Sequence, residues 1–157
     1  LDGVSSRFGL LFQEARDEDS NMRQNILEGL GLELLTHDLR GGLQDSRALL
    51  EQLAQRWQSL LPHHTTLDYH SNFLGLGGKK GLARVRIHLG NDEFVLENEH
   101  GRIGASRKHV VHKVALSSET LPLELWLEQM LAALETEAQH SRAVQDTLEQ
   151  LARPKSL

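Results

Sequence analysis

The sequence predicts an α+β protein: N-terminal helices, a small three- to four-stranded antiparallel sheet, and a long C-terminal helix. Three observations carry this. Aliphatic side chains recur at helical spacing in 26–35, 49–61 and 123–151. Residues 82–89 alternate strictly between apolar and basic side chains. The segments after them are joined by connections too short for the crossover helix that a parallel sheet needs.

The first helical pattern contains Ile26, Leu27, Leu30, Leu34 and Leu35. Ser20 or Asn21 is placed to cap it by accepting orphan backbone N–H bonds. Gly29 and Gly31 oppose it, since a glycine inside a helix costs about 1 kcal/mol relative to alanine; close packing against another helix would compensate. Gly41–Gly42 is the expected break, or a kink. Upstream, Phe8, Leu10, Leu11 and Phe12 form an apolar patch open to docking or to a short helix.

The next helix is cleaner. Asp45 or Ser46 can cap it, and Leu49, Leu50, Leu53, Trp57, Leu60 and Leu61 share one side while Glu51, Gln52, Gln55, Arg56 and Gln58 face away. Pro62 ends it, because proline lacks an N–H and disfavours helical backbone before it. Residues 62–81 then read as a polar, glycine-rich connection.

Strands are expected over 82–116. Ala83, Val85, Ile87 and Leu89 oppose Arg84, Arg86 and His88, the period of a half-buried strand. Gly90-Asn91-Asp92 supplies a turn, Phe94–Glu97 a return strand, and Glu99-His100-Gly101 a second turn. Ile103 opens another strand, and Val110–Leu116 alternates as one further strand. Ser118 or Thr120 is expected to cap a single helix over 120–152, with Pro122 in its first turn and Glu124 and Glu128 near its positive end. Its stripe is Leu123, Leu127, Met130 and Leu134, with Trp126 beside it, continued by Val144, Leu148 and Leu151. Glu137 and Ser141 interrupt the seam, and about 25 to 30 residues would project about 40 Å. The distal half therefore needs the N-terminal helices or another subunit.

The chain has 157 residues, one domain's worth (1–157), with 39% hydrophobic and 25% charged residues. It contains no cysteine, which excludes disulfides, thiolate metal sites and a cysteine nucleophile. Leucine dominates, at 31 residues against four Phe, two Trp and one Tyr, which favours helices packed through aliphatic side chains. No run of 18 apolar residues supports a transmembrane helix. The first fifteen residues are too polar for a secretory signal, so a cytoplasmic setting is expected, and a chain starting at Leu1 is expected to be a fragment or a processed form.

The net charge of -5 is uneven. Residues 76–115 are net basic, with Lys79, Lys80, Arg84, Arg86, Arg102, Arg107, Lys108 and Lys113, while both flanks are net acidic. On adjacent strands these bases could form one phosphate-contacting surface. The bland expectation is a solvated β face whose long basic side chains cover apolar neighbours. Base stacking would need aromatic residues among the cations, and Phe94 alone is at hand.

His63, His64, Asp68 and His70 concentrate possible metal or acid–base groups, the centre of a metal-dependent hydrolase reading. Their spacing matches no standard metal motif, and no nucleophile accompanies them. Gly75, Gly77, Gly78 and Gly81 with Lys79 and Lys80 invite a phosphate loop, but the G-x-x-x-x-G-K-S/T pattern is missing and a strand follows instead of a helix. Neither a metal nor another cofactor is expected.

The order of a helix, a β meander and a C-terminal helix resembles that of several small dimeric nucleoid-associated proteins and secretion chaperones. That likeness is one of fold alone and carries no site residues. The expected function is a non-catalytic interaction or assembly module, adaptor- or chaperone-like. It would self-associate and bind a protein partner through apolar helix faces (Trp57, Trp126, Met130, Leu134, Val144, Leu148 and Leu151). The alternatives are nucleic-acid association through the basic β face and the hydrolase.

Overall fold

The computed structural model describes residues 21–31, 46–70 and 81–153. Helix α1 covers 21–30 and α2 covers Ser46–Leu60. Five strands follow: β1 Thr65–Tyr69, β2 Leu82–Leu89, β3 Asp92–Glu99, β4 Arg102–Val111 and β5 Val114–Thr120. Helices α3, Leu123–Ala138, and α4, Arg142–Ala152, complete an α+β fold. The expected features at Phe8–Phe12, Ser20, Leu34–Leu35, Gly41–Gly42, Asp45 and Gly75–Lys80 lie outside the described residues.

The sheet is an antiparallel meander in the order β1-β2-β3-β4-β5, five strands where three or four were expected. One addition is β1, which falls in the stretch read as a glycine-rich connection. It pairs with β2 from Thr65↔Ile87 to Tyr69↔Leu82. The expected strand over Val110–Leu116 is instead divided, Val110 and Val111 ending β4 and Val114 opening β5. Val111 pairs with Val114 across a two-residue turn in which His112 and Lys113 have φ of 50° and 67°. Two positive φ values define the mirror-image turn that suits the twist of a hairpin. His100 and Gly101 turn β3 into β4 in the same way, at φ 50° and 82°.

Among the described residues, the helices cover one sheet face. Val85 and Ile87 of β2, Phe94 and Leu96 of β3 and Ala105 of β4 pack beneath α2 and α3, joined by Leu49, Leu50, Leu53, Trp57, Trp126, Met130 and Leu134. Trp57 and Trp126 stack with centroids 6.2 Å apart, and Phe94 meets Trp126 edge-on at 5.9 Å. Each indole N–H reaches a carbonyl: Trp57 Nε1 donates to Leu30 O at 2.7 Å and Trp126 Nε1 to Ser106 O at 2.9 Å. The largest core side chains thus leave no donor unsatisfied.

The long C-terminal helix is also corrected. The chain breaks after Gln139, and Ser141, in extended conformation, starts α4 by accepting a hydrogen bond from Val144 N at 3.3 Å. At the other end Pro122 precedes α3 without a side-chain cap, and Ser118 and Thr120, expected as caps, belong to β5. The break lets α4 turn onto the N-terminal helices. Leu151 fits against Gly29, where an added Cβ would lie 2.4 Å from Leu151 Cδ2. Asn25 Nδ2 donates to Ala152 O, and Thr147 Oγ1 donates to Leu60 O. The distal half of the C-terminal stripe finds its cover within the chain.

Candidate interaction surface

Alternation puts Asp68, Arg84, Arg86, His88, Glu93 and Glu97 on the sheet face away from the helices, since their sequence neighbours Leu67, Val85, Ile87, Phe94 and Leu96 face the core. The arginines do not stand free there. Arg86 grips Asp68 with two hydrogen bonds, Nε to Oδ2 at 2.7 Å and Nη2 to Oδ1 at 3.1 Å, and its Nη1 is 3.6 Å from Glu93 Oε2. Arg84 lies 3.3 Å from Asp68 and 3.7 Å from Glu97. His88 Nε2 adds a 3.0 Å contact to Glu93, whose residue is only 5% exposed. Burial lowers the Arg86 pKa, but hydrogen bonding and Coulomb attraction from Asp68 and then Glu93 outweigh it and hold the guanidinium above its ordinary value.

Arg107 is on the opposite face, over the Phe94 ring at 5.9 Å. It donates to Gln129 Oε1 of α3 at 2.8 Å and to Asp92 Oδ2 at 3.0 Å, and Asp92 also meets His109 Nδ1 at 3.4 Å. The residues expected to make one basic surface are therefore divided between two faces, and three of them are engaged by carboxylates. Among the described residues Arg102, Lys108 and Lys113 make no ion pair; Lys79 and Lys80 lie outside the described residues.

The histidine segment does not converge. His63 is exposed in the turn before β1, His64 Nε2 reaches Glu137 at the end of α3 at 3.5 Å, and Asp68 is held by two arginines. His70 is exposed past the end of β1, its N–H bonded to Gly81 O at 2.9 Å. No group of three or more His, Cys, Asp or Glu side chains is disposed to hold a metal among the described residues.

The side chains expected to meet a partner are mostly internal. Trp57, Trp126, Met130 and Leu134 are fully buried, Val144 and Leu148 are buried, and Leu151 is partly buried against the core. A groove of about 360 Å³ remains between α1, α3 and α4, lined by Met22, Ile26, Leu148 and Ala152 and edged by the Arg23–Glu135 ion pair at 3.6 Å.

The surface that the sequence reading missed is β5. All seven of its residues are exposed, with Val114 at 58% and Leu116 at 63%. It forms the outer edge of the sheet beyond β4. Reading Val110–Leu116 as one strand concealed it. The signal available in the sequence was the loss of clean alternation at the polar run Ser117–Ser118–Glu119.

No protein-family model, no curated protein and no solved structure matches this chain. The class it represents is set by the fold alone: an α+β protein with an antiparallel meander covered by helices on one face. No helix among the described residues is long and apolar enough to cross a membrane.

Proposed function

We propose that this protein is a non-catalytic interaction and assembly module that acts as a homodimer in the cytoplasm and presents a surface to a protein partner. One observation carries the reading: an entire edge strand, including Val114 and Leu116, stands exposed while the arginines of the neighbouring face are matched to carboxylates. Apolar area removed from water contributes about 25 cal/mol per Å², so exposed aliphatic side chains favour association. Engaged arginines bring little free charge to a phosphate backbone, whose binding depends on protein cations displacing the counterions condensed on it. The helical stripes contribute indirectly, by fixing the sheet whose edge remains open.

Light scattering at tens of micromolar, paired with titration of fluorescent single- and double-stranded DNA at low salt, tests the reading. The expected result is an average mass clearly above the 17.7 kDa of one chain, rising with concentration toward twice that value, and no saturable DNA binding. A monomer that binds DNA at low salt would favour the nucleic-acid alternative instead.

A further inference from the structure

We propose that the free edge of β5 is the docking site for a second copy of this chain, joined by antiparallel β5–β5 pairing centred on Ser118. The proposal rests on the assembly reading above and specifies its surface. Backbone direction supports it first. Leu121 N–H bonds to Ala105 O at 3.0 Å, in line with the pairing of Thr120 with Ser106 and Glu119 with Arg107. Bonding toward β4 therefore falls on Leu121, Glu119 and Ser117, and the N–H and C=O of Ser118 and Thr120 point away from the sheet. An edge of this kind is a template for another strand.

The side chains are compatible with self-pairing. With Ser118 opposite Ser118 of the partner subunit, Ser117 meets the partner's Glu119, and Leu116 meets the partner's Thr120. No like charges fall directly opposite, the arrangement that destabilises cross-strand pairs. Within its own chain Glu119 stands across from Arg107, so its charge has a cationic neighbour. The strand, Val-Ala-Leu-Ser-Ser-Glu-Thr, lacks the proline and lysine that commonly block edges. A bulge is present, since His109 pairs with Ser117 and Val110 with Ala115, leaving Leu116 as the extra residue. It bends the start of β5 but leaves Ser117–Thr120 regular. The opposite edge is less suited: β1 is shorter, and Thr65 is buried with its hydroxyl donating to Trp57 O at 3.2 Å.

Pairing about five residues from each copy buries less than the roughly 1,200 Å² below which interfaces are weak and transient, so dissociation is expected on the order of tens of micromolar. Sedimentation equilibrium from ~5 to ~500 µM should show the average mass rising by mass action from 17.7 kDa toward twice that value. Ser118→Pro removes an outward N–H without touching the bonds to β4, and Leu116→Lys puts a charge at the exposed contact. Each should weaken association at least ~10-fold, while Ser118→Ala should leave it unchanged. Circular dichroism checks the fold of each variant; if Ser118→Pro unfolds, Leu116→Lys decides. A wild-type chain that stays monomeric overturns both this proposal and the homodimer reading. A dimer insensitive to the variants overturns the β5 edge alone.

Discussion

Trp57 of α2 and Trp126 of α3 stack at 6.2 Å with 25° between their planes, and neither indole is exposed. The pair ties the helix before the sheet to the helix after it, and the two N–H groups reach away to Leu30 O and Ser106 O. Removing a buried tryptophan costs about 3–5 kcal/mol through lost transfer energy and the cavity left behind. Trp126→Ala is therefore expected to lose about 4 kcal/mol in urea unfolding. Trp57→Phe should cost about 2 kcal/mol, because the Leu30 carbonyl would lose its donor while much of the packing survives. The midpoint should fall in both without a change in slope.

Gly29 and Leu151 set the approach of α4 to α1. Alanine improves a helix by about 1 kcal/mol over glycine, yet here its Cβ would come 2.4 Å from Leu151 Cδ2 and 3.3 Å from Cγ. Overpacking of this kind costs about 1–3 kcal/mol, so Gly29→Ala should destabilise by about 1 kcal/mol net. The double variant with Leu151→Ala should recover part of that loss relative to Leu151→Ala alone. Additive losses in a double-mutant cycle would refute the contact.

These two cases mark how much of the fold the sequence carried. Leu49, Leu50, Leu53 and Trp57 repeat at helical spacing because one side of α2 is buried, and Val85, Ile87 and Leu89 alternate because one side of β2 is buried. Both patterns are local. Strand β1 is mostly polar, and what holds it is Asp68 meeting Arg84 and Arg86, more than fifteen residues later in sequence. The His112–Lys113 turn lacks the glycine or asparagine that marks most such turns. The break at Gln139–Ser141 has neither glycine nor proline, and its cap is visible only once α4 is seen to turn onto Gly29. The engagement of the arginines was equally hidden, because charge counts do not say which carboxylate stands opposite.

That turn is also a place to gain stability. A non-glycine residue in the left-handed region costs on the order of 1 kcal/mol, and His112 and Lys113 both occupy it. Replacing them by Asn and Gly, the pair that adopts this turn most readily, should raise stability by about 1 kcal/mol. Thermal unfolding would register it, and an unchanged or lower midpoint would show that the turn is held by interactions of the two native side chains.

Arg86 joins Asp68 and Glu93 across three strands, with its side chain 29% and that of Glu93 7% exposed. Arg86→Met keeps a long stem but leaves two carboxylates without their shared cation. A fully buried pair broken in this way costs about 3–5 kcal/mol; partial exposure brings the expected loss to about 2 kcal/mol. The guanidinium's pKa is raised by folding, so its contribution is complete at every pH below the ordinary guanidinium value and is lost only as pH rises through the raised one, far above neutrality. Between pH 6 and 9 the difference between wild type and Arg86→Met should therefore stay level in urea titrations. A difference that grows or shrinks across that window would mean that the Arg86 guanidinium is not what sets the pH behaviour of the network.

The same engagement predicts how weak contact with nucleic acid would behave. Any binding seen at low salt should run through Arg102, Lys108 and Lys113 of the basic segment, which make no ion pair among the described residues, and not through Arg84, which stands between Asp68 and Glu97. Three protein cations neutralising phosphates displace about as many counterions and give a slope of about −3 for log affinity against log salt, so little should persist at physiological salt. Lys108→Ala should flatten that slope by about one and Arg84→Gln should leave it unchanged, as measured by fluorescence anisotropy with a short duplex. If Arg84→Gln instead flattens the slope as much as Lys108→Ala, the carboxylates yield to phosphate and the sheet face is a nucleic-acid surface after all.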